Sequence, residues 1–100
     1  MMNLKQNEII EKVISSNGRA FQSMVAMEEC SELVQAISKC IREPEGEDAR
    51  KHLVEEMADV SICLEQLKIM YQITDIELNI WTAGKIERLE NRLGSYNDQR

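Results

Sequence analysis

The chain has few of the residues that usually do chemistry. It holds one histidine, three cysteines, one tryptophan and one phenylalanine in 100 residues. Cys30, Cys40 and Cys63 form no pair at zinc-ligand spacing, and an odd number argues against a disulfide framework. They read as small apolar residues kept reduced in a cytoplasmic protein. One proline and four glycines supply no glycine-rich phosphate loop. There is no Ser-His-Asp candidate set, which removes a triad hydrolase, and no Glu-x-x-His, which removes a ferritin-like di-iron bundle. No apolar run approaches the length of a membrane span. Met1-Met2-Asn3-Leu4-Lys5-Gln6 lacks the apolar stretch of a signal peptide. Positive charge is also short: 12 Lys and Arg stand against 18 Asp and Glu, a net charge of -6. Binding a phosphate backbone needs a basic field, so a nucleic-acid polymer is a poor partner, whereas a single nucleotide presented with a metal is not excluded.

What remains is an aliphatic, methionine-rich chain, 43% apolar and 30% charged. That composition is soluble and globular, and the length bounds it to a single domain over residues 1–100. Residues 3–15 carry Leu4, Ile9, Ile10, Val13 and Ile14 at helical spacing and read as a packing helix, closed by a turn at Gly18. Core helices follow over 19–93. The first, from Arg19 to Arg42, ends at Glu43-Pro44-Glu45-Gly46, and the next spans about Ala49 to Tyr71. Thr74-x-x-Glu77 is a capping box for the last helix, expected to end at Gly94 and leave 94–100 as a tail. Short loops and helical periodicity predict an all-α fold of about four helices in an antiparallel bundle. A chain this short buries a modest share of its surface, so the bundle is expected to be completed by homo-oligomerisation.

Acids interrupt the apolar stripes. Glu28-Glu29-x-x-Glu32 and Glu55-Glu56-x-x-Asp59 repeat the same pattern on successive helices. Residues three apart lie about 60° apart around a helix, so Glu29 and Glu32 share a face, as do Glu56 and Asp59. That face also carries Val25, Leu33, Ala36 and Cys40 on the first helix, and Val60, Cys63, Leu67 and Met70 on the second. A hairpin would present both acid pairs to a common space. Four carboxylates converging there repel and resist desolvation unless protons or a divalent cation relieve them. All-oxygen ligation suits Mg²⁺, Mn²⁺ or Ca²⁺. Glu28 and Glu55 point aside on the helical wheel. His52, one turn before Glu56, is a candidate general base or an incidental surface residue.

The last helix carries Trp81, Lys85, Arg88 and Arg92 on one face, a ring and three cations in line. These suit a base and phosphates, or else a solvated basic surface with Trp81 packed. Gln22, two turns before Glu29, offers an amide to a base or phosphate.

The two acid motifs, their separation, Gln22, Leu33 and the run from Lys85 through Arg88 to Arg92 resemble the MazG-like nucleotide pyrophosphohydrolases, the all-α NTP pyrophosphatases. The resemblance covers about residues 20–93. It implies an Mg²⁺-dependent enzyme, with Mn²⁺ a possible substitute, that hydrolyses (d)NTP to (d)NMP and pyrophosphate, as in clearing a nucleotide pool. It implies Glu29, Glu32, Glu56 and Asp59 as metal ligands, with Glu32 or Glu56 as the group that activates water; Glu28 and Glu55, which point aside, either support these ligands from behind or are simply exposed. Lys85 and Arg88 would hold phosphate oxygens, with Arg92, Gln22 and Trp81 also facing the substrate. Some relatives place asparagine four residues after the lysine, where this chain has Leu89. The family also implies a homodimer or dimer of dimers with sites partly formed across the interface. Two other readings share these features: a phosphoribosyl-ATP pyrophosphatase, and a non-catalytic helical dimer that binds a nucleotide or protein.

Overall fold

The computed structural model describes the backbone of residues 2–98 and the side chains of residues 2–94. Four helices make up these residues: α1 (Leu4–Asn17), α2 (Arg19–Arg42), α3 (Glu47–Met70) and α4 (Asp75–Asp98). No strand occurs among the described residues. The expected all-α architecture of four helices is present.

Each boundary has a local cause. Asn3 opens α1 with a capping box: its side chain accepts from the Gln6 amide at 2.8 Å, and Gln6 Oε1 accepts from the Asn3 amide at 2.9 Å. These bonds satisfy donors that the first helical turn leaves free. Gly18 separates α1 from α2 with φ 87° and ψ 159°, a region beyond the left-handed helical well and open in practice only to glycine. No atom lies within 4 Å of where a Cβ would stand at Gly18, so the obstacle to another residue is backbone strain alone. Gly18→Ala is expected to lower the unfolding free energy by about 1–3 kcal/mol, read as a shift of the urea midpoint at unchanged slope.

The α2–α3 loop turns on a bond from the Gly46 amide to the Glu43 carbonyl at 2.9 Å. Glu47 and Asp48 then occupy the first turn of α3, where the helix dipole favours acids. At the other end, Lys68 bonds both Glu65 and Asp75 at 2.8 Å and ties the end of α3 to the start of α4. The Thr74 capping box forms as expected, with Glu77 Oε2 accepting from the Thr74 amide at 2.9 Å. The expected end at Gly94 is not where α4 stops, since the helix continues to Asp98. Glycine terminates a helix by taking positive φ, and among the described glycines Gly18 alone does so.

α2 and α3 form an antiparallel hairpin, and α1 packs across both. Ser23 Oγ meets the Tyr71 hydroxyl at 2.8 Å, and Arg19 stacks over the Tyr71 ring at 5.4 Å, joining the start of α2 to the end of α3. α4 packs against none of the other three helices among the described residues. The apolar core is accordingly thin: Ile10, Ala26, Ala36, Ala49, Cys63 and Met70 are its buried members. The radius of gyration is 17.2 Å, against about 13 Å for a compact chain of this length.

Candidate metal centre

The seam between α2 and α3 decides which side chains meet. Buried positions recur at seven-residue spacing on α3, at Ala49, Glu56, Cys63 and Met70. On α2 the same spacing runs through Gln22, Glu29 and Ala36, of which Glu29 is half-buried. This is the repeat of a coiled-coil seam, whose knobs are normally apolar. Here two glutamates and a glutamine occupy it.

Two bonds set the register. Gln22 Nε2 donates to Gln66 Oε1 at 3.2 Å near one end, and Cys40 Sγ donates to the Ala49 carbonyl at 3.3 Å near the other. Stepping inward from the Gln22–Gln66 bond brings Glu29 opposite Asp59, and then Glu32 opposite Glu56. The hairpin therefore crosses the two motifs, pairing the first acid of one with the last acid of the other.

Carboxylate oxygens of Glu29, Glu32 and Glu56 lie within 4.8 Å of one another. Asp59 falls outside that group but adjoins it, near enough for its charge to act on both Glu29 and Glu56. Glu32 and Asp59 are exposed, Glu29 is half-buried, and Glu56 is only 8% exposed. The site has a wet rim and a dry floor. In the floor, Glu29 Oε2 and Glu56 Oε2 are buried and have no hydrogen-bond partner.

An unpaired buried carboxylate oxygen is costly, and protonation is the response in the absence of a cation. Burial, followed by the charges of Glu32, Asp59 and Glu56, pushes the Glu29 carboxyl up to about 7 from an ordinary 4.5. Burial also raises Glu56, with Glu32 and Asp59 adding to the rise and His52 opposing it. His52 Nε2 stands 3.4 Å from Glu56 Oε1, so the histidine is tied to the acid floor. Burial raises the Cys63 thiol as well, with Glu29 contributing, which keeps it a neutral thiol and not a soft thiolate ligand. Oxygen donors of high negative charge with unmet lone pairs suit a hard divalent cation of the Mg²⁺ or Mn²⁺ kind.

Beside the acids lies a cavity of about 140 Å³ lined by Gln22, Val25, Glu29, Asp59, Ile62, Cys63 and Gln66. A wider hollow, lined by Glu8, Glu11, Lys12, Ser15 and Ser16, is open to solvent and touches none of the acid group.

The remaining sequence candidates divide. Glu28 and Glu55 are exposed and lie outside the acid group. Gln22 is 3% exposed and is held at both ends, accepting from Asn17 Nδ2 at 2.8 Å and donating to Gln66. Trp81, Lys85, Arg88 and Arg92 are exposed on α4, with Lys85 Nζ 5.9 Å from the centre of the Trp81 ring. Because α4 meets α3 through the Lys68–Asp75 ion pair at its first residue but does not pack along the other helices among the described residues, one chain does not bring these cations to the carboxylates. Gln66 and Asn17 escaped the sequence reading. Gln66 was legible in principle: Glu56, Asp59, Cys63 and Gln66 stand at i, i+3, i+7 and i+10, one face of α3. Asn17 carried no such signal, because its role depends on how α1 folds back.

Compared with known protein families, curated proteins and solved structures, the chain matches none. No helix among the described residues is long and apolar enough to cross a membrane.

Proposed function

We propose that the protein is a divalent-metal-dependent nucleoside triphosphate pyrophosphohydrolase of the MazG-like kind. The observation that carries this reading is the pair of buried, unpartnered carboxylate oxygens on Glu29 and Glu56 within a group of three glutamates. Glu29, Glu32, Glu56 and Asp59 would hold Mg²⁺ or Mn²⁺. A bound divalent cation neutralises phosphate charge and polarises the phosphoryl oxygen. The seam holds the glutamates on two packed helices, so their geometry is set before substrate arrives. Glu32, at the solvent rim beside Glu56, accepts a proton from the attacking water, and Glu56 steadies it from the dry floor. Water oxygen bonds to phosphorus, the bond to the α–β bridging oxygen breaks, and pyrophosphate leaves.

The acting unit in this reading is a homodimer or a dimer of dimers. The chain exposes 8260 Å², whereas a folded monomer of 11.5 kDa exposes roughly 5,800 Å². The difference, on the order of 2,000 Å² per chain, exceeds the ~800 Å² that each partner buries in a standard interface. Leu78, Ile86, Leu89 and Leu93 form one exposed stripe on α4, the face a helix normally buries. A second copy covering that stripe would carry Lys85, Arg88 and Arg92 toward the carboxylates they do not reach within one chain. Leu89→Glu is expected to yield monomers by light scattering and to abolish turnover. A wild-type chain that is already monomeric at assay concentration overturns this part of the proposal.

The deciding experiment incubates the protein with canonical and damaged (deoxy)nucleoside triphosphates, with and without Mg²⁺, and resolves the products. Monophosphate with pyrophosphate, dependent on Mg²⁺, is the expected result. Diphosphate with orthophosphate refutes the cleavage position, and no turnover on any nucleotide turns attention to a phosphoribosyl-ATP substrate or a binding module.

A further inference from the structure

We infer that the cleft beneath α1 takes the nucleobase of the substrate and that Gln66 reads it, donating a hydrogen bond to an acceptor on the edge of the ring. The inference rests on the nucleotide reading above and adds a subsite to it.

A second cavity, about 200 Å³, lies between α1 and α3 and is lined by Met2, Gln6, Ile9, Ile10, Val13, Ile62 and Gln66. It shares Ile62 and Gln66 with the cavity beside the carboxylates. The two adjoin at these side chains, with Glu29, Asp59 and Gln22 lining one and the aliphatic side chains of α1 lining the other. That sequence of anionic, polar and apolar lining follows the plan of a metal-bound nucleotide: phosphates, sugar, base. Ligand sites are mostly apolar with a few fixed polar groups, and aliphatic walls accept the faces of a flat ring.

Gln66 is the fixed polar group. It is 5% exposed, which is unusual for a glutamine on a helix with apolar neighbours. Its orientation is set by a relay of amides in which Asn17 Nδ2 donates to Gln22 Oε1 at 2.8 Å and Gln22 Nε2 donates to Gln66 Oε1 at 3.2 Å. Both glutamine carbonyls are used, so what remains at the end of the relay is the Gln66 amide nitrogen, which has no acceptor among the described residues. That nitrogen is not enclosed, since the buried unpartnered atoms among the described residues are Glu29 Oε2 and Glu56 Oε2, so it stays open to the cavity it lines, where a ring carbonyl or ring nitrogen accepts from it. An exocyclic amine offered at the same point leaves two donors facing each other, so the relay discriminates among bases as well as holding them. α1, which reads from sequence as packing alone, thereby supplies one wall and, through Asn17, the anchor of the relay.

The first test is binding without chemistry. Metal-free protein is titrated with uridine, cytidine, adenosine and guanosine while the side-chain amide resonances of Gln22 and Gln66 and the methyls of Ile9, Ile10, Val13 and Ile62 are followed by NMR. Saturable shifts of these signals with at least one nucleoside, reduced in Gln66→Met, are expected. The second test is kinetic. Gln66→Met should raise KM for the preferred nucleotide about tenfold, the loss of one hydrogen bond, with little change in kcat, and flatten the ranking of bases. Asn17→Ala should move the ranking in the same direction through loss of the anchor. Shifted Gln66 signals in a protein that releases no pyrophosphate would keep the subsite and discard the hydrolysis. Pyrophosphate release with unmoved Gln66 signals and an unchanged base ranking in Gln66→Met would keep the hydrolysis and discard the subsite. No saturable shift with any of the nucleosides overturns the subsite as well.

Discussion

Glu56→Gln is expected to reduce pyrophosphate release by on the order of 10³-fold or more while leaving helical content unchanged, since several kcal/mol of transition-state charge stabilisation depend on the cation it would hold. The same substitution should make the metal-free protein more stable near neutral pH. Glu56 is 8% exposed, one of its oxygens has no partner, and its neighbours Glu32 and Asp59 carry like charge. An amide of the same shape removes that repulsion and brings a donor toward Glu32. Activity and stability therefore move in opposite directions, as they do where a site stores unfavourable charge for function. An assay with a thermal melt on one preparation reads both. Wild-type activity in this variant would remove the metal-centre reading, and a collapse of stability would mean that Glu56 holds the seam together.

The second large effect is a pH-dependent stability that metal reverses. The Glu29 carboxyl sits near 7 in the folded chain and near an ordinary 4.5 when exposed. Between those values the folded state holds a proton that the unfolded state has released. Stability rises with pH only where the unfolded state binds more protons, so here it falls. The stabilising contribution of the retained proton is complete below 4.5 and is lost as pH climbs through about 7. Glu56, raised for the same leading reason, acts in the same direction. The metal-free melting temperature is expected to drop from about pH 5 to about pH 8. Saturating Mg²⁺ or Mn²⁺ should reverse the drop, because it binds the folded carboxylates and not the dispersed ones. At about 100 times Kd the gain is about 2.7 kcal/mol, roughly 10 °C or more for a domain of this size. The metal effect should shrink toward about pH 5, where cations must displace protons. Equal metal effects at both ends of the range would show that the bound ion does not compete with the Glu29 proton.

The two capping boxes differ in how openly they stood in the sequence. Thr74-x-x-Glu77 announced the start of α4, and the bonds formed as expected. Asn3-x-x-Gln6 made an equally complete box before α1. Gly94 misled, because a glycine permits positive φ without requiring it, and the backbone there stays helical. The acid motifs were readable because helical geometry puts residues three apart on one face whatever surrounds them. Their placement on the apolar side followed from the same wheel.

Sequence by itself determined four helices, their three short connections and the faces on which the acids and the cations lie. These are local properties, set by periodicity over a few turns and by caps within four residues. Tertiary structure decided the register of the α2–α3 seam, which crosses the motifs so that Glu29 meets Asp59 and Glu32 meets Glu56. It decided which oxygens are left dry and unpartnered, Glu29 Oε2 and Glu56 Oε2. It also brought Asn17 onto Gln22, and Gln22 onto Gln66 across 44 residues of chain. Burial and pairing between distant segments depend on how helices lie against one another, and no wheel drawn around one helix contains that information. The set-apart position of α4 has the same origin: its apolar stripe is plain in the sequence, but only the fold leaves that stripe uncovered within one chain.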